Sequence, residues 1–169
     1  MEKENILKTR ARENAKTDKT NGTAMVKPVP LLKFNLQNRS YSIELSFLSE
    51  VCYIKEITPI PGSSSFVSGV VNLRGKIIPA ISLKNLFNLE DRGLSEQNRL
   101  IVLENNENPF GIICDSIGDI SEMDLSTLEP TPGNLPDQLT KYISGIFPDN
   151  TLHTNAQALT TSSEITIKK

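Results

Sequence analysis

The chain has 169 residues, 37% of them apolar, and a formal net charge of −2. The charge is divided: residues 1–27 carry seven Lys/Arg against four Asp/Glu, and residues 28–169 carry 11 against 16. An acidic globule argues against a nucleic-acid binder, which carries a basic surplus on its folded part, and no apolar run approaches the ~18–20 residues of a membrane-crossing helix.

The length suits one domain, or two small ones sharing a core. Residues 1–27 are polar. Their charges are not followed by the apolar stretch of a signal peptide. A short helix is expected over Glu4–Ala15, with Ile6, Leu7 and Ala11 on one face. Thr17–Val26 reads as a flexible linker. The first 29 residues are therefore expected to be a flexible, basic tail.

Leu31-Leu-Lys-Phe-Asn-Leu36 alternates as a strand, Gln37-Asn38-Arg39 turns, and Tyr41–Leu45 alternates again, which predicts a hairpin. Ser46–Ser49 reads as a single turn, and Glu50–Ile57 resumes extended structure. Thr58–Ser65, with two prolines and a serine run, is a loop. No Gly-Lys-Ser/Thr follows it to cradle phosphates.

Two apolar, β-branched runs, Val67–Leu73 and Ile77–Ile81, then flank Arg74-Gly75-Lys76. This predicts a second hairpin, with Gly75 supplying the positive φ of a tight turn and Arg74 lifted on or beside the tip. Pro79 cannot donate to a ladder, so it is expected at an edge or a bulge. Leu83, Leu86 and Phe87 switch to helical spacing.

Asp91–Asn98 is turn-like. Arg99–Glu104 and Phe110–Cys114 read as paired buried strands. Asp115–Glu122 continues extended, with a bulge or sharp bend at Gly118. Leu125–Leu128 forms at most one turn, and Pro130–Pro136 is a loop. Tyr142–Phe147 reads as a strand, and Asn155 can cap a short helix over Ala156–Leu159. About nine short strands with little helix predict an all-β barrel or sandwich.

The catalytic inventory is thin. His153 is the only histidine and is expected on the solvent side of a strand, with no serine or cysteine motif pointing to it. Asp115 and Asp119 can be read as an acid–base pair or cation site, but more simply as turn and rim residues. Cys52 and Cys114 read as small buried hydrophobes in a reducing compartment rather than a disulfide. No zinc spacing, calcium loop or dinucleotide fingerprint occurs, so no metal, cofactor or catalytic residue is expected. Without tryptophan there is no broad aromatic platform for single-stranded nucleic acid.

Phe66-Val-x-Gly69-Val-x-Asn72-Leu-Arg74-Gly75-x-Ile-x-Pro79 resembles the signature hairpin of the CheW family, the adaptor domain of bacterial chemotaxis arrays. Other stretches resemble the same family in order: Tyr41-x-Ile-Glu-Leu with Glu50-Val, Leu100-Ile-Val-Leu, Phe110-Gly-Ile-Ile-Cys-Asp115-x-Ile-x-Asp119-Ile, Tyr142-Ile-Ser-Gly-Ile, and Asn155-Ala-Gln-Ala-Leu. The resemblance implies a domain over residues 30–165 made of two packed, intertwined SH3-like five-stranded β-barrels. It implies a non-enzymatic adaptor that couples the cytoplasmic tips of chemoreceptors to the regulatory domain of a CheA-type histidine kinase, in the cytoplasm at membrane-associated receptor arrays. Carried over by position, Arg74 lies on the receptor and kinase-control surface, Leu48 and Glu50 on the preceding strand belong to the same contacts, and Leu45 and Phe47 fall near the kinase patch. Gly69, Gly75 and Pro79 shape the hairpin.

The sequence departs from the family's pattern at Ser82, where Asp is usual, at Ser42, where glycine is common, and at Phe47, where a polar residue is frequent. Related adaptors serve pilus or other kinase pathways. A small ligand-binding barrel and a hydrolase using Asp115 or His153 are the competing readings.

Overall fold

The structure is a computed structural model that describes residues 28–90, 93–104, 109–131, 133, 135 and 137–161. The expected N-terminal helix and linker lie outside the described residues. Ten strands form two five-stranded sheets. The strands are β1 (Val29–Leu36), β2 (Arg39–Glu44), β3 (Leu48–Tyr53), β4 (Val67–Leu73), β5 (Lys76–Ser82), β6 (Arg99–Leu103), β7 (Phe110–Cys114), β8 (Ser116–Met123), β9 (Ile143–Ile146) and β10 (Leu152–Thr154). Three short helices accompany them: α1 (Leu83–Leu86), α2 (Asp137–Tyr142) and α3 (Ala156–Thr161).

The order of elements repeats: β1–β5 then α1, and β6–β10 then α3. The sheets do not follow that division. The first runs β8-β1-β2-β10-β9 and the second β3-β6-β7-β5-β4. Each half keeps its first two strands paired and gives its third to the other half's pair: β3 joins β6, and β8 joins β1. The halves are stitched further by two short parallel pairings, β2 with β10 and β5 with β7. One bridge then draws each sheet's edges together, Thr58 to Val70 of β4 and Glu129 to Ile146 of β9. Among the described residues, each expected barrel is thus a five-stranded sheet joined edge to edge by a single bridge, not by a continuous ladder.

Alternation decides which face each strand buries. On the first sheet, Leu32, Phe34, Leu36, Tyr41 and Ile43 enter a core shared with Ile81, Ile101, Leu103, Ile112 and Cys114 of the second. The intervening residues of the second sheet, Val71, Ile78, Ala80, Leu100, Val102 and Ile113, form a separate apolar cluster on its other face. β6 and β7 are thus buried on both faces, which is why they lack a polar alternation. Aromatic rings run through the shared core: Phe34 to Tyr41 at 5.7 Å, Tyr41 to Phe87 at 6.0 Å and Phe87 to Tyr142 at 6.4 Å between centroids.

Several expectations change. β10 and α2 are additional elements, each too short to show a period. Tyr142 ends α2 and does not begin β9. β3 ends at Tyr53, short of the expected Ile57. Pro79 lies on β5, an interior strand, yet the pairing with β7 begins only at Ala80. Pro79 therefore meets no strand on that side, and the missing N–H is tolerated. Ser82 keeps the cap despite losing the carboxylate: its Oγ accepts from the Asn85 N–H at 3.3 Å. The bulge at Gly118 is present, since β1 and β8 slip register between Leu32 and Phe34. Asn155 caps α3, accepting from the Ala158 N–H at 3.0 Å.

Phe87 is fully buried and touches the aromatic rings of both Tyr41 and Tyr142. Phe87→Ala is expected to cost about 3–5 kcal/mol, as large-to-small core changes do, measured by urea unfolding. A second expectation follows from the strand exchange. Cutting the backbone within residues 94–97 should give fragments that do not fold separately but regain the native spectrum when mixed.

Candidate partner-binding surface

The turn between β4 and β5 has two central residues, because Leu73 pairs with Lys76. Both have positive φ, 53° at Arg74 and 87° at Gly75. That is the type I′ turn, whose twist matches the strands it joins. Glycine takes this conformation freely, but an L-residue with a Cβ does so at a cost of roughly 1–2 kcal/mol. The Asn72 side chain helps hold the turn, its Oδ1 accepting from the Gly75 N–H at 3.0 Å. The sequence indicated positive φ at Gly75; Arg74 shares it.

Further back on β4, Gly69 has φ 148° and sits at a bulge against β5. A Cβ there would strike the backbone carbonyl of Thr58. The close approach is what allows Thr58 and Val70 to exchange two hydrogen bonds of 2.9 and 2.8 Å. Gly69 therefore sets the base of the hairpin and ties the segment after β3 to β4.

The same tie brings β3 near the hairpin tip. The Arg74 guanidinium lies 3.2 Å from the Glu50 carboxylate, with the arginine side chain 82% exposed and Glu50 27%. Two residues singled out separately in the sequence are thus an ion pair. Such an exposed pair contributes up to about 1 kcal/mol. It also uses only part of a guanidinium with five N–H donors. Cys52 lies further along the same face of β3; its thiol is pushed up by burial first and by the nearby Glu50 charge second, with Arg74 opposing.

The other three residues are placed differently. Leu45 and Phe47 lie in a 3₁₀ turn after β2, and Leu48 opens β3. All three are half-buried against the shared core, so each presents only part of its apolar surface. The turn is fixed to the second sheet by the Glu104 N–H, which donates to the Phe47 carbonyl at 3.1 Å. The exposed apolar side chains close by, Val51 and Tyr53 on β3 and Ile77 on β5, were not singled out from the sequence. Alternation along β3 placed Val51 and Tyr53 on one face, but not which face meets water. The Arg99 guanidinium stacks 4.0 Å above the Tyr53 ring and holds it in place.

The residues weighed for catalysis do not converge. Asp115 pairs with Lys84 at 2.6 Å and accepts from the Gln37 N–H at 2.6 Å. It ties α1 and the β1–β2 turn to the end of β7, a structural use. Asp119 is exposed on β8. Cys52 and Cys114 are free thiols; Cys52 is half-buried rather than buried, and burial pushes Cys114 up to about 12. His153 is 4% exposed, not solvent-facing. Its Nδ1 lies 2.9 Å from the Ser42 hydroxyl, and that hydroxyl is itself fully buried. Among the described residues, no three His, Cys, Asp or Glu side chains gather as metal ligands, and no helix is long and apolar enough to cross a membrane.

This architecture is shared with proteins of known role. The CheW-like domain family matches residues 30–155. The chain belongs to that family. The chemotaxis protein CheW of Klebsiella aerogenes is 30% identical over 115 residues, covering 68% of this chain and 69% of that protein. CheW of Treponema pallidum is 26% identical over 125 residues, covering 72% and 74%. PilI of Pseudomonas aeruginosa is 26% identical over 114 residues, covering 68% and 64%. The crystal structure of the scaffolding protein TtCheW from Thermoanaerobacter tengcongensis superposes with a TM-score of 0.68 at 31% identity, over 76% of this chain and 84% of that one.

Arg74→Asn separates turn from surface. Asparagine tolerates the left-handed region, and Asn-Gly is the favoured type I′ pair. The variant is expected to be as stable as the parent or up to about 1 kcal/mol more stable. Its thermal unfolding midpoint should not fall.

Proposed function

We propose that this CheW-family protein is a non-enzymatic adaptor of a chemotaxis system, coupling chemoreceptors to a CheA-type histidine kinase. The observation that carries the proposal is the CheW-like match over residues 30–155, supported by the similarity to the TtCheW scaffolding protein. The kinase regulatory domain and the receptor tip are the proposed partners, and Arg74, Glu50, Leu48, Leu45 and Phe47 their proposed contacts.

The local physics suits that role. A rigid two-residue turn holds an 82% exposed guanidinium clear of the sheet. Arginine's planar fork recognises carboxylates and carbonyl clusters with two parallel bonds. Glu50 orients it without burying it. Half-buried apolar side chains such as Leu45, Phe47 and Leu48 and a projecting charge are the ingredients of the anchor-and-rim pattern of protein interfaces. The adaptor needs no catalytic group, and the candidates Asp115 and His153 have structural partners instead.

A titration of the full chain against a CheA-type regulatory domain should saturate. No binding at ~100 μM would sink the kinase-partner reading, since ~1 mM marks negligible affinity. Arg74→Glu should fold normally and lose receptor coupling in a reconstituted array, and unchanged kinase control would remove Arg74 from the contact surface. A second reading, an adaptor of another kinase pathway, has the PilI similarity on its side, because a relative not named for chemotaxis matches as much of the chain as the Klebsiella protein does.

A further inference from the structure

A cleft of about 180 Å³ lies between α1 and the end of β7. Ile57, Leu94 and Ile113 give it apolar lining, and Ser68, Ser82 and Lys84 give it polar lining. Asp115 and Asn98 complete its wall. Ser82, Lys84 and Asn98 are each at least nine-tenths buried, so the polar groups are part of the fold and not a solvated fringe.

Donors and acceptors in this cleft do not balance. Asp115 is the one acid among the described residues that line it, and both its oxygens are engaged. Oδ1 meets the Lys84 ammonium at 2.6 Å and the Asn98 amide at 3.4 Å, and Oδ2 accepts from the Gln37 N–H at 2.6 Å. The Asn98 side-chain carbonyl accepts from the Ser95 N–H. The donors are less committed. Lys84 has three N–H bonds and one partner among the described residues. The Ser82 oxygen accepts from the Asn85 N–H, but among the described residues its own hydrogen meets no acceptor, and the half-buried Ser68 hydroxyl makes no side-chain hydrogen bond. Buried donors left unsatisfied are costly.

We propose that the cleft binds a small monocarboxylate with a short alkyl chain, its carboxylate held by Lys84 and Ser82 and its chain lying against Ile57 and Leu94. A surplus of donors calls for an acceptor. A carboxylate offers about four lone-pair sites, and hydrogen bonds with an ionised partner are roughly twice as strong as neutral ones. The charge of Asp115 is spread over three donors, which weakens its repulsion of a second anion. A cavity of ~150 Å³ admits benzene, so a ligand of about six non-hydrogen atoms matches this volume. Leu94 is 57% exposed, and an alkyl chain against it removes apolar surface from water. Arg74, Glu50, Leu45, Phe47 and Leu48 do not line the cleft, so the site is separate from the proposed partner surface and does not depend on it. Lys84 belongs to the first half of the chain and Asp115 to the second, which places the ligand at a tie between them.

Butyrate at pH 7, where carboxylates are ionised, is the probe. Titrated into the full chain at constant ionic strength, it should shift the backbone amide NMR signals of Ser68, Ser82, Leu94 and Asn98 and saturate below ~10 mM. The thermal unfolding midpoint should rise with butyrate, because a ligand of the native state stabilises it. Butylammonium and 1-butanol, which share the chain but lack the carboxylate, should do neither. Two variants check the placement. Leu94→Glu puts a like charge at an exposed part of the wall, and Ser82→Asp places a carboxylate in the cleft while keeping an acceptor for the helix cap. Both should fold and lose the butyrate response. Shifts that do not saturate, an equal response to 1-butanol, or unchanged binding in either folded variant would overturn the proposal and leave the cleft to solvent. Should a variant not fold, the comparison of butyrate with 1-butanol on the parent protein decides.

Discussion

Each sheet of this protein is assembled from both halves of the chain, and that exchange is the constraint on which the rest depends. β3 leaves the half that contains β1 and β2, and β8 leaves the half that contains β6 and β7. Neither half can complete a five-stranded sheet without the other. The faces that each half would otherwise leave bare, Leu32, Phe34 and Leu36 on one side and Ile101, Leu103 and Ile112 on the other, become the shared core. Such a fold gains most of its contacts between residues distant in sequence, so its parts form together rather than in turn.

The exchange also places the candidate surface. Because β3 is an edge strand of the second sheet, the segment after it must cross to β4, and it does so where Gly69 admits the Thr58 backbone. That crossing sets β3 beside the β4–β5 hairpin and lets Glu50 reach Arg74. The surface is therefore built by topology and one glycine rather than by proximity along the chain. A side chain at position 69 would disturb the bridge first and the Arg74–Glu50 geometry through it.

Much of the fold was legible in the residues. Period-two alternation marked β1 and β2, apolar β-branched runs on either side of Arg74-Gly75-Lys76 marked β4 and β5, and the doubly apolar runs marked β6 and β7, because burial on one or two faces leaves a direct imprint on polarity. Gly118 and Asn155 were legible as a bulge and a cap because each has a local backbone task. What was not legible depends on distant partners. β10 has three residues, too few for a pattern, and exists because β2 and β9 flank it. The burial of His153 could not be read from its neighbours Leu152 and Thr154. It comes from Ser42, 111 residues away. The pairing of Arg74 with Glu50 was hidden for the same reason, although each was picked out separately. Ser82 shows the converse: it stands where the family's pattern has Asp, yet its hydroxyl caps the helix as a carboxylate would.

The conformation of Arg74 bears on what the hairpin is for. A turn selected only for stability would carry Asn or Gly at the first central position, where positive φ is tolerated. Arginine there costs backbone energy, and the ion pair with Glu50 returns at most a similar amount because it is exposed. The fold alone therefore gives no reason to prefer arginine at this position. Strain held at a position that does not need it for folding supports the proposed use of the Arg74 side chain in binding. The turn fixes the backbone, Asn72 and Gly75 lock it, and the guanidinium is what remains projected into solvent. That argument needs no relative, and it meets the family's pattern at the same residue.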